Sequence, residues 1–180
     1  MFARPLVTPY SIAALLLTLI LCLALPKAAQ AGFGYTWLEA GYGYVEPDGG
    51  NGDGGPYAAL SAQIKPRMHL FSSYRKIGGG DGFVMGVGGH LPVDPKLHLV
   101  GRLGWADLDG DGGLRLEGGF RLRAGSEING GVFFSDLDFG SETGVYLGAV
   151  STIQGPVALT GTLRVSDRYT DASFGLRFYF

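Results

Sequence analysis

The sequence predicts an all-β protein, an antiparallel up-and-down transmembrane β-barrel of ten strands. Apolar and polar side chains alternate with a period of two along most of the chain, as in strands with two different faces. After residue 31, no segment is apolar for long enough to form a membrane-spanning helix. All 32 glycines also lie after residue 31, about three times the usual share of ~7%. Branched and aromatic residues are plentiful there, which favours a regular, glycine-tolerant sheet over disorder.

The first 31 residues are expected to be a signal peptide. A single arginine precedes an apolar run from Ile12 to Leu25, which is short for a membrane-spanning helix. The sequence PKAAQA follows, and its small residues predict cleavage after Ala31. Residues 32–180 then form one domain, the barrel. The chain's one cysteine, Cys22, lies in the apolar run, so the barrel has no disulfide.

Ten runs of alternating residues are predicted to be strands. The stretch LRLEGGFRLR is a clear example, because its leucines fall on one face and its arginines on the other, which a helix would not achieve. The ten runs are Tyr35–Val45, Tyr57–Ile64, Met68–Lys76, Gly82–Leu91, Lys96–Ala106, Leu114–Ala124, Glu127–Ser135, Thr143–Thr152, Val157–Ser166 and Thr170–Phe180. The count is eight if the two weakest runs, Met68–Lys76 and Glu127–Ser135, are not strands.

The connections between the runs alternate between two kinds. One kind is short and basic or proline-bearing, as in KPR and PVDP. The other is mostly longer, acidic and glycine-rich, as in EPDGGNGDGG and DLDGDGG. Such alternation predicts antiparallel neighbours with two chemically different ends, and a meander of strands nine to eleven residues long matches a transmembrane barrel. Closure into a barrel gives every strand two partners, which a bilayer requires because lipid offers no hydrogen bonds.

The last run, DASFGLRFYF, resembles the final strand of bacterial outer-membrane barrels. On this basis the chain resembles the small outer-membrane barrels of the OmpA, OmpX and omptin type. The resemblance implies location in the bacterial outer membrane, with the basic turns in the periplasm and the acidic loops outside the cell. It also implies that the barrel-assembly machinery reads an apolar C-terminal signal, which here comprises Phe174, Leu176, Phe178 and Phe180.

The two faces of the predicted strands differ in chemistry. One face carries leucines and aromatic residues and is expected to contact lipid, with aromatic girdles near both ends. The other face carries charges that would each cost about 2–4 kcal/mol in lipid, so they are placed in the lumen. This predicted polar network comprises Glu39, Arg102, Arg115, Glu117, Arg121, Arg123, Arg164 and Arg177. Reversal of the chain near Gly110 brings Arg102 opposite Glu117 or one pair away, which predicts a buried ion pair.

The excess of arginine in this network allows two functions. A plugged lumen with a passive structural role in the envelope is one, because ten strands enclose little more than side chains. A narrow anion-leaning pore or small-solute channel is the alternative, because rings of arginine favour anions. A lipid A-modifying or surface-binding barrel is a third. Enzymatic activity is not expected, because His69, His90 and His98 all lie near the basic turns, far from the outer leaflet.

Cofactors and partners follow from the same reading. Asp107, Asp109 and Asp111 start like a calcium loop, but the twelfth position is Gly118 where a bidentate glutamate is needed. These aspartates are therefore weak metal candidates that serve a turn, and no metal or cofactor is expected. The formal net charge of −2 gives no sign of a nucleic-acid partner. The expected partners are outer-membrane lipid, lipopolysaccharide and the assembly machinery, and the barrel is expected to be a monomer.

Overall fold

The structure, a computed structural model, describes residues 33–77 and 79–180. The predicted signal peptide lies outside the described residues. Within those residues, the structure contains no helix that is both long and apolar enough to cross a membrane.

Ten antiparallel strands make up the fold, and each contains the alternating pattern that predicted it. They are β1 (Trp37–Pro47), β2 (Asp53–Lys65), β3 (Met68–Ile77), β4 (Gly80–Asp94), β5 (Leu97–Leu108), β6 (Asp111–Ala124), β7 (Ser126–Leu137), β8 (Gly140–Gln154), β9 (Val157–Ser166) and β10 (Tyr169–Tyr179). The two weakest runs of the sequence are the strands β3 and β7. The prediction of ten strands is therefore confirmed, and the alternative of eight is wrong.

The sheet closes on itself through β1 and β10. Each strand pairs with its neighbour in the chain, and the first and last strands pair from Trp37↔Tyr179 to Pro47↔Tyr169. Every strand therefore has two partners and the barrel has no open edge. This is the up-and-down topology that the sequence predicts.

The two ends of the barrel carry different turns. The end that we call the basic end has its turns at 66–67, 95–96, 125 and 155–156. The other, the acidic end, has its connections at 48–52, 78–79, 109–110, 138–139 and 167–168. The expectation of longer acidic loops is wrong for all but the first of these, because the strands extend into the aspartate-rich segments. At 109–110 both residues have positive φ, 57° at Asp109 and 91° at Gly110, as a tight hairpin requires.

The strand alternation separates the barrel into an apolar outer face and a charged inner one. Leu38, Leu103, Leu116, Val145 and Phe174 are among many large apolar side chains exposed on the outside. An apolar band that faces outward on all sides of a closed barrel suits lipid, not water. At the basic end, where an aromatic girdle is expected, Tyr179 points inward and packs with Trp37, Val150 and Ala158, whereas Phe178 and Phe180 are exposed.

Candidate functional site

The inner face of the barrel holds the candidate site, and the eight predicted network residues all belong to it. Seven of them line a cavity of about 150 Å³ in the lumen. The eighth, Arg123, lies nearer the basic end, where its guanidinium carbon is 4.8 Å from the centre of the Phe33 ring. The network is arranged in layers along the barrel axis, and each layer has its own acid.

Glu117 is the acid of the middle layer. It pairs directly with Arg102 across β5 and β6, and its Oε2 lies 3.3 Å from Arg102 Nη1. The predicted ion pair is therefore confirmed. Its Oε1 accepts a hydrogen bond of 3.0 Å from Arg115 Nε, two residues away on the same face of β6. Arg115 also donates to Ser135 Oγ and lies over the Phe133 ring. One carboxylate thus holds two guanidinium groups.

Asp171 is the acid of the layer towards the acidic end. Its Oδ2 lies 2.6 Å from Arg75 Nη1 and 4.0 Å from Arg164 Nη1. Sequence reasoning assigned Arg164 to the lumen but missed Asp171 and Arg75. The signal was available, because Asp171 has the same parity in β10 as Arg177. It was missed because the acid lies close to a turn, where aspartates are common for other reasons.

Glu39 and Arg177 form a pair on neighbouring strands β1 and β10, with 2.7 Å between Arg177 Nε and Glu39 Oε2. The Arg177 guanidinium carbon lies 4.0 Å from the centre of the Trp37 ring. The other Glu39 oxygen accepts a hydrogen bond of 2.8 Å from Tyr57 Oη. The Tyr57 ring lies across the inward face of Gly41, a position where any Cβ would collide with it. Glycine therefore makes room for large side chains inside this wall.

Near the basic end the lumen contains a group of side chains that sequence reasoning did not foresee. We call it the floor cluster, and it comprises Phe33, Tyr35, His69, His90, His98 and Arg121. The segment 33–36 precedes β1 and enters the lumen, where Ser61 Oγ donates to Tyr35 O. The signal was weak, because three histidines and two aromatic residues on separate segments converge only once the strand register is known.

Tyr35 is the centre of the floor cluster. Its ring stacks on His90 at 3.7 Å between centroids and 4° between planes, and its hydroxyl lies 2.9 Å from His98 Nδ1. On its other side the Arg121 guanidinium carbon lies 4.4 Å from the ring centre. Arg121 is fixed by two hydrogen bonds to Glu127, of 2.7 and 2.8 Å, and by contacts with Gly34 O. The tyrosine is therefore clamped between a ring and a cation.

The full lumen is less basic than the sequence suggests. The register places seven arginines inside, Arg75, Arg102, Arg115, Arg121, Arg123, Arg164 and Arg177. It also places seven acids there, Glu39, Asp53, Asp111, Glu117, Glu127, Glu142 and Asp171. The predicted network counted six arginines and two acids. Glu127 was missed because it is the second residue of β7, where the face of a strand is hardest to assign. Arginines and acids are therefore equal in number on the inner face, and two of the acids, Asp53 and Asp111, lie at its acidic end.

Above the floor cluster the lumen widens towards the acidic end. The cavity of about 150 Å³ adjoins a vestibule of about 430 Å³, and both are lined by Ser73, Arg75, Ile77, Val84 and Arg115. The vestibule also reaches rim residues such as Asn51 and Asp109. The larger of these two cavities therefore lies towards the acidic end, and the floor cluster lies towards the basic end.

The acidic rim uses its carboxylates to build turns. Asp107 Oδ1 accepts from Gly110 N at 3.1 Å, and Asp109 Oδ1 accepts from Asp81 N at 2.7 Å. Asp138 Oδ2 accepts from Gly112 N at 3.2 Å. Within residues 33–77 and 79–180, no group of three or more histidine, cysteine or acidic residues is arranged to hold a metal ion. In the DLDGDGG segment the turn is formed by Asp109 and Gly110, whereas Asp107 and Asp111 lie at the ends of β5 and β6.

Fold and lumen together define the class of the protein. A closed barrel of ten antiparallel strands, apolar outside and ion-paired inside, has the fold of the small, porin-like outer-membrane β-barrels.

Solved structures support this class at the level of the fold. The KdgM porin matches 79% of this chain and 99% of its own, with a TM-score of 0.53 and 8% sequence identity. A second structure, the KdgM porin in complex with disordered oligogalacturonate, gives a TM-score of 0.52 and 10% identity, with the same coverage. No protein-family model and no curated protein matches the chain.

Proposed function

We propose that the protein is an integral outer-membrane barrel with a passive structural role in the envelope and a lumen closed at its basic end. The floor cluster is the observation that supports this most strongly. Tyr35 is held on one side by His90 and on the other by Arg121, which is itself anchored by Glu127. Three ion-paired layers lie above it and narrow the lumen.

The orientation and partners of the barrel belong to the same proposal. The basic end faces the periplasm and the acidic end faces the outside. The exposed apolar face contacts lipid tails, and the acidic rim lies among lipopolysaccharide head groups. The assembly machinery recognises the outward-facing residues of the last strand, Phe174, Leu176, Phe178 and Phe180, all of which are exposed. The barrel functions as a monomer, because its closed sheet offers no edge to a partner.

Solute flux tests the closed lumen. Lipid vesicles containing the protein should release trapped iodide or a small sugar at neutral pH no faster than vesicles without protein. The matched variants are Phe33→Ala/Tyr35→Ala, which removes two rings of the floor cluster, and Tyr44→Ala, which removes an exposed ring on the outer face. Only the first should leak. Wild-type efflux as fast as that of Phe33→Ala/Tyr35→Ala would contradict the proposal.

A narrow anion-leaning pore is the second candidate. It is supported by the seven arginines on the inner face and by the likeness in fold to KdgM porins, one of which is in complex with oligogalacturonate. Under this alternative the wild-type vesicles would release iodide faster than a sugar at neutral pH. The floor cluster makes us favour the closed barrel, because it lies across the route that such an anion would take.

We propose no enzymatic role and no dedicated surface-binding role. A lipid A-modifying barrel needs a general base at the outer leaflet, whereas the three histidines lie in the floor cluster at the other end. Surface recognition needs extended loops with apolar anchors. Here most connections at the acidic end are two residues long, and the rim aspartates bond to the turns themselves.

A further inference from the structure

The three histidines of the floor cluster are placed where a positive charge has little support. His69 is fully buried, and neither of its ring nitrogens has a partner among the described residues. His90 stacks on Tyr35 and on His98, with 5.4 Å between the two imidazole centroids and 2° between their planes. Stacked, buried imidazoles of this kind are stable when neutral, because a buried charge without a counterion is costly.

The charged groups that face the histidines are mostly cations. Arg102 and Arg121 face His69, Arg121 and Arg67 face His90, and Arg121 and Arg123 face His98. Two carboxylates also face His98, those of Glu127 and Asp94. Glu127 is already held by two hydrogen bonds from Arg121, and Asp94 accepts from Lys96 N at 2.6 Å. Protonation of the histidines would therefore add positive charge to a part of the lumen where arginines already outnumber carboxylates.

We propose that mild acid opens the barrel: protonation of His69, His90 and His98 releases segment 33–36 from the lumen and converts the closed barrel into a narrow channel for small anions. This inference rests on the closed lumen of the proposed function and adds a regulated activity to it.

The mechanism follows from the contacts of segment 33–36. Each imidazole takes one proton from water, and the resulting cations repel one another, Arg121 and Arg123. A protonated His98 Nδ1 can only donate, so any hydrogen bond that it accepts from the Tyr35 hydroxyl is lost. Release of the segment relieves the repulsion, because water replaces the two rings of Phe33 and Tyr35 beside the imidazolium groups. Histidine is the side chain that ordinarily changes its charge between about pH 5 and 8, so the change falls in a mild range.

The cavities above the floor cluster supply the path. The lumen cavity and the vestibule adjoin and share five lining residues, so removal of the base joins them to the water on the basic side. The inner face then carries seven arginines, seven acids and up to three imidazolium groups, so its net charge becomes positive only when the histidines are protonated. A lining with this sign favours anions over cations.

Planar-bilayer conductance at about pH 7.5 and about pH 5 tests the proposal. Wild-type current should rise at least about tenfold in acid. If protonation of a histidine is tenfold less favourable in the closed barrel than in the open one, protonating it raises the equilibrium constant for opening by about tenfold. A salt gradient should show anion selectivity, and the current should fall again when the pH is returned to about 7.5. His69→Phe/His90→Phe keeps the rings and removes two titrating groups, so its acid response should be largely lost. The control Asp53→Asn/Asp111→Asn, which removes carboxylates at the opposite end, should keep it.

A second readout does not depend on how the histidine variants fold. A cysteine placed by Phe33→Cys should be modified at about pH 5 by an impermeant thiol reagent from the basic side, and should be protected at about pH 7.5. The rate is normalised at each pH to Gln154→Cys, which lies at the exposed basic end. Equal protection at both pH values would overturn the proposal.

The outcomes separate the two proposals. No current at either pH would overturn acid opening and leave the closed barrel standing. Equal current at both pH values would overturn both. Heat-modifiable mobility on gels, in which a folded barrel migrates differently from its boiled form, provides the folding control. If the acid current came with loss of the folded band, it would come from unfolding and the proposal would be wrong.

Discussion

At the scale of single residues, the lumen depends on a few acids that each hold more than one arginine. Glu117 is the clearest case, because its two oxygens bind Arg102 and Arg115. The Arg115 side chain is 7% exposed, whereas that of Arg102 is 28% exposed. A buried cation that loses its partner costs more than the pair contributes, so removal of the acid should be worse than removal of acid and base together.

We therefore expect Glu117→Gln to lower the free energy of unfolding by about 3 kcal/mol. Adding Arg115→Gln should recover more of this loss than adding Arg102→Gln, because Arg115 is the more buried of the two cations. Urea unfolding in lipid vesicles, followed by the fluorescence of Trp37 and Trp105, measures the three variants. Equal stability of the single and both double variants would show that Glu117 does not balance these charges.

The close approach of Tyr57 to Gly41 gives a second prediction at this scale. An added methyl group at Gly41 would collide with the Tyr57 ring and with the backbone of β10, whereas one at Gly118 meets nothing within 4 Å. Gly41→Ala should lower the free energy of unfolding by about 1–3 kcal/mol, the usual cost of overpacking. Gly118→Ala should change it by less than about 0.5 kcal/mol. If both variants unfold at the same urea concentration, the inner wall is looser than its contacts imply.

Contacts of the site between residues close in the chain could be predicted from the sequence, whereas contacts between distant segments could not. The pair Arg102 and Glu117 could be found from sequence, because a tight turn at 109–110 fixes the register of two adjacent strands. The floor cluster could not, because its rings come from segment 33–36 and three strands. Their meeting depends on closure of the whole barrel, which alternation alone does not specify.

At the scale of the elements, the alternating pattern determined all ten strands but not their ends. The sequence of β6 was predicted to start at Leu114, whereas the strand starts at Asp111. The reason is physical. Aspartate and glycine are uncommon in strands, yet here their backbone groups continue the β-ladder up to a two-residue turn. Hydrogen bonds from backbone N–H groups to the aspartates stabilise these extensions.

The outer face of the strands gives a prediction of its own. Leu103, near the middle of β5, is 45% exposed, and Val93, close to the basic end of β4, is 56% exposed. In a bilayer Leu103→Arg should cost about 2–4 kcal/mol, and Val93→Arg should cost about 0–1 kcal/mol, because arginine is tolerated near the interface. Urea unfolding in lipid vesicles compares them. Equal costs would indicate that Leu103 does not lie near the middle of the bilayer.

At the scale of the whole molecule, the proposed barrel is a cup rather than a tube. The vestibule lies at the acidic end, the ion-paired layers narrow the lumen, and the floor cluster is proposed to close the basic end. Under the proposed passive role, the same arrangement both stabilises the barrel and blocks its lumen at neutral pH. Every layer that blocks the lumen also joins strands that are not neighbours or satisfies a buried charge.

Accessibility of a cysteine in the lumen tests this cup most directly. Residues 32–180 contain no cysteine, so Ser73→Cys introduces a single thiol where the vestibule meets the lumen cavity. Asn51→Cys at the acidic end and Gln154→Cys at the basic end report which side an impermeant thiol reagent reaches. In proteoliposomes at neutral pH, Ser73→Cys should be labelled from the same side as Asn51→Cys and protected from the other. Labelling from the side that modifies Gln154→Cys would contradict the closed floor and with it the central claim.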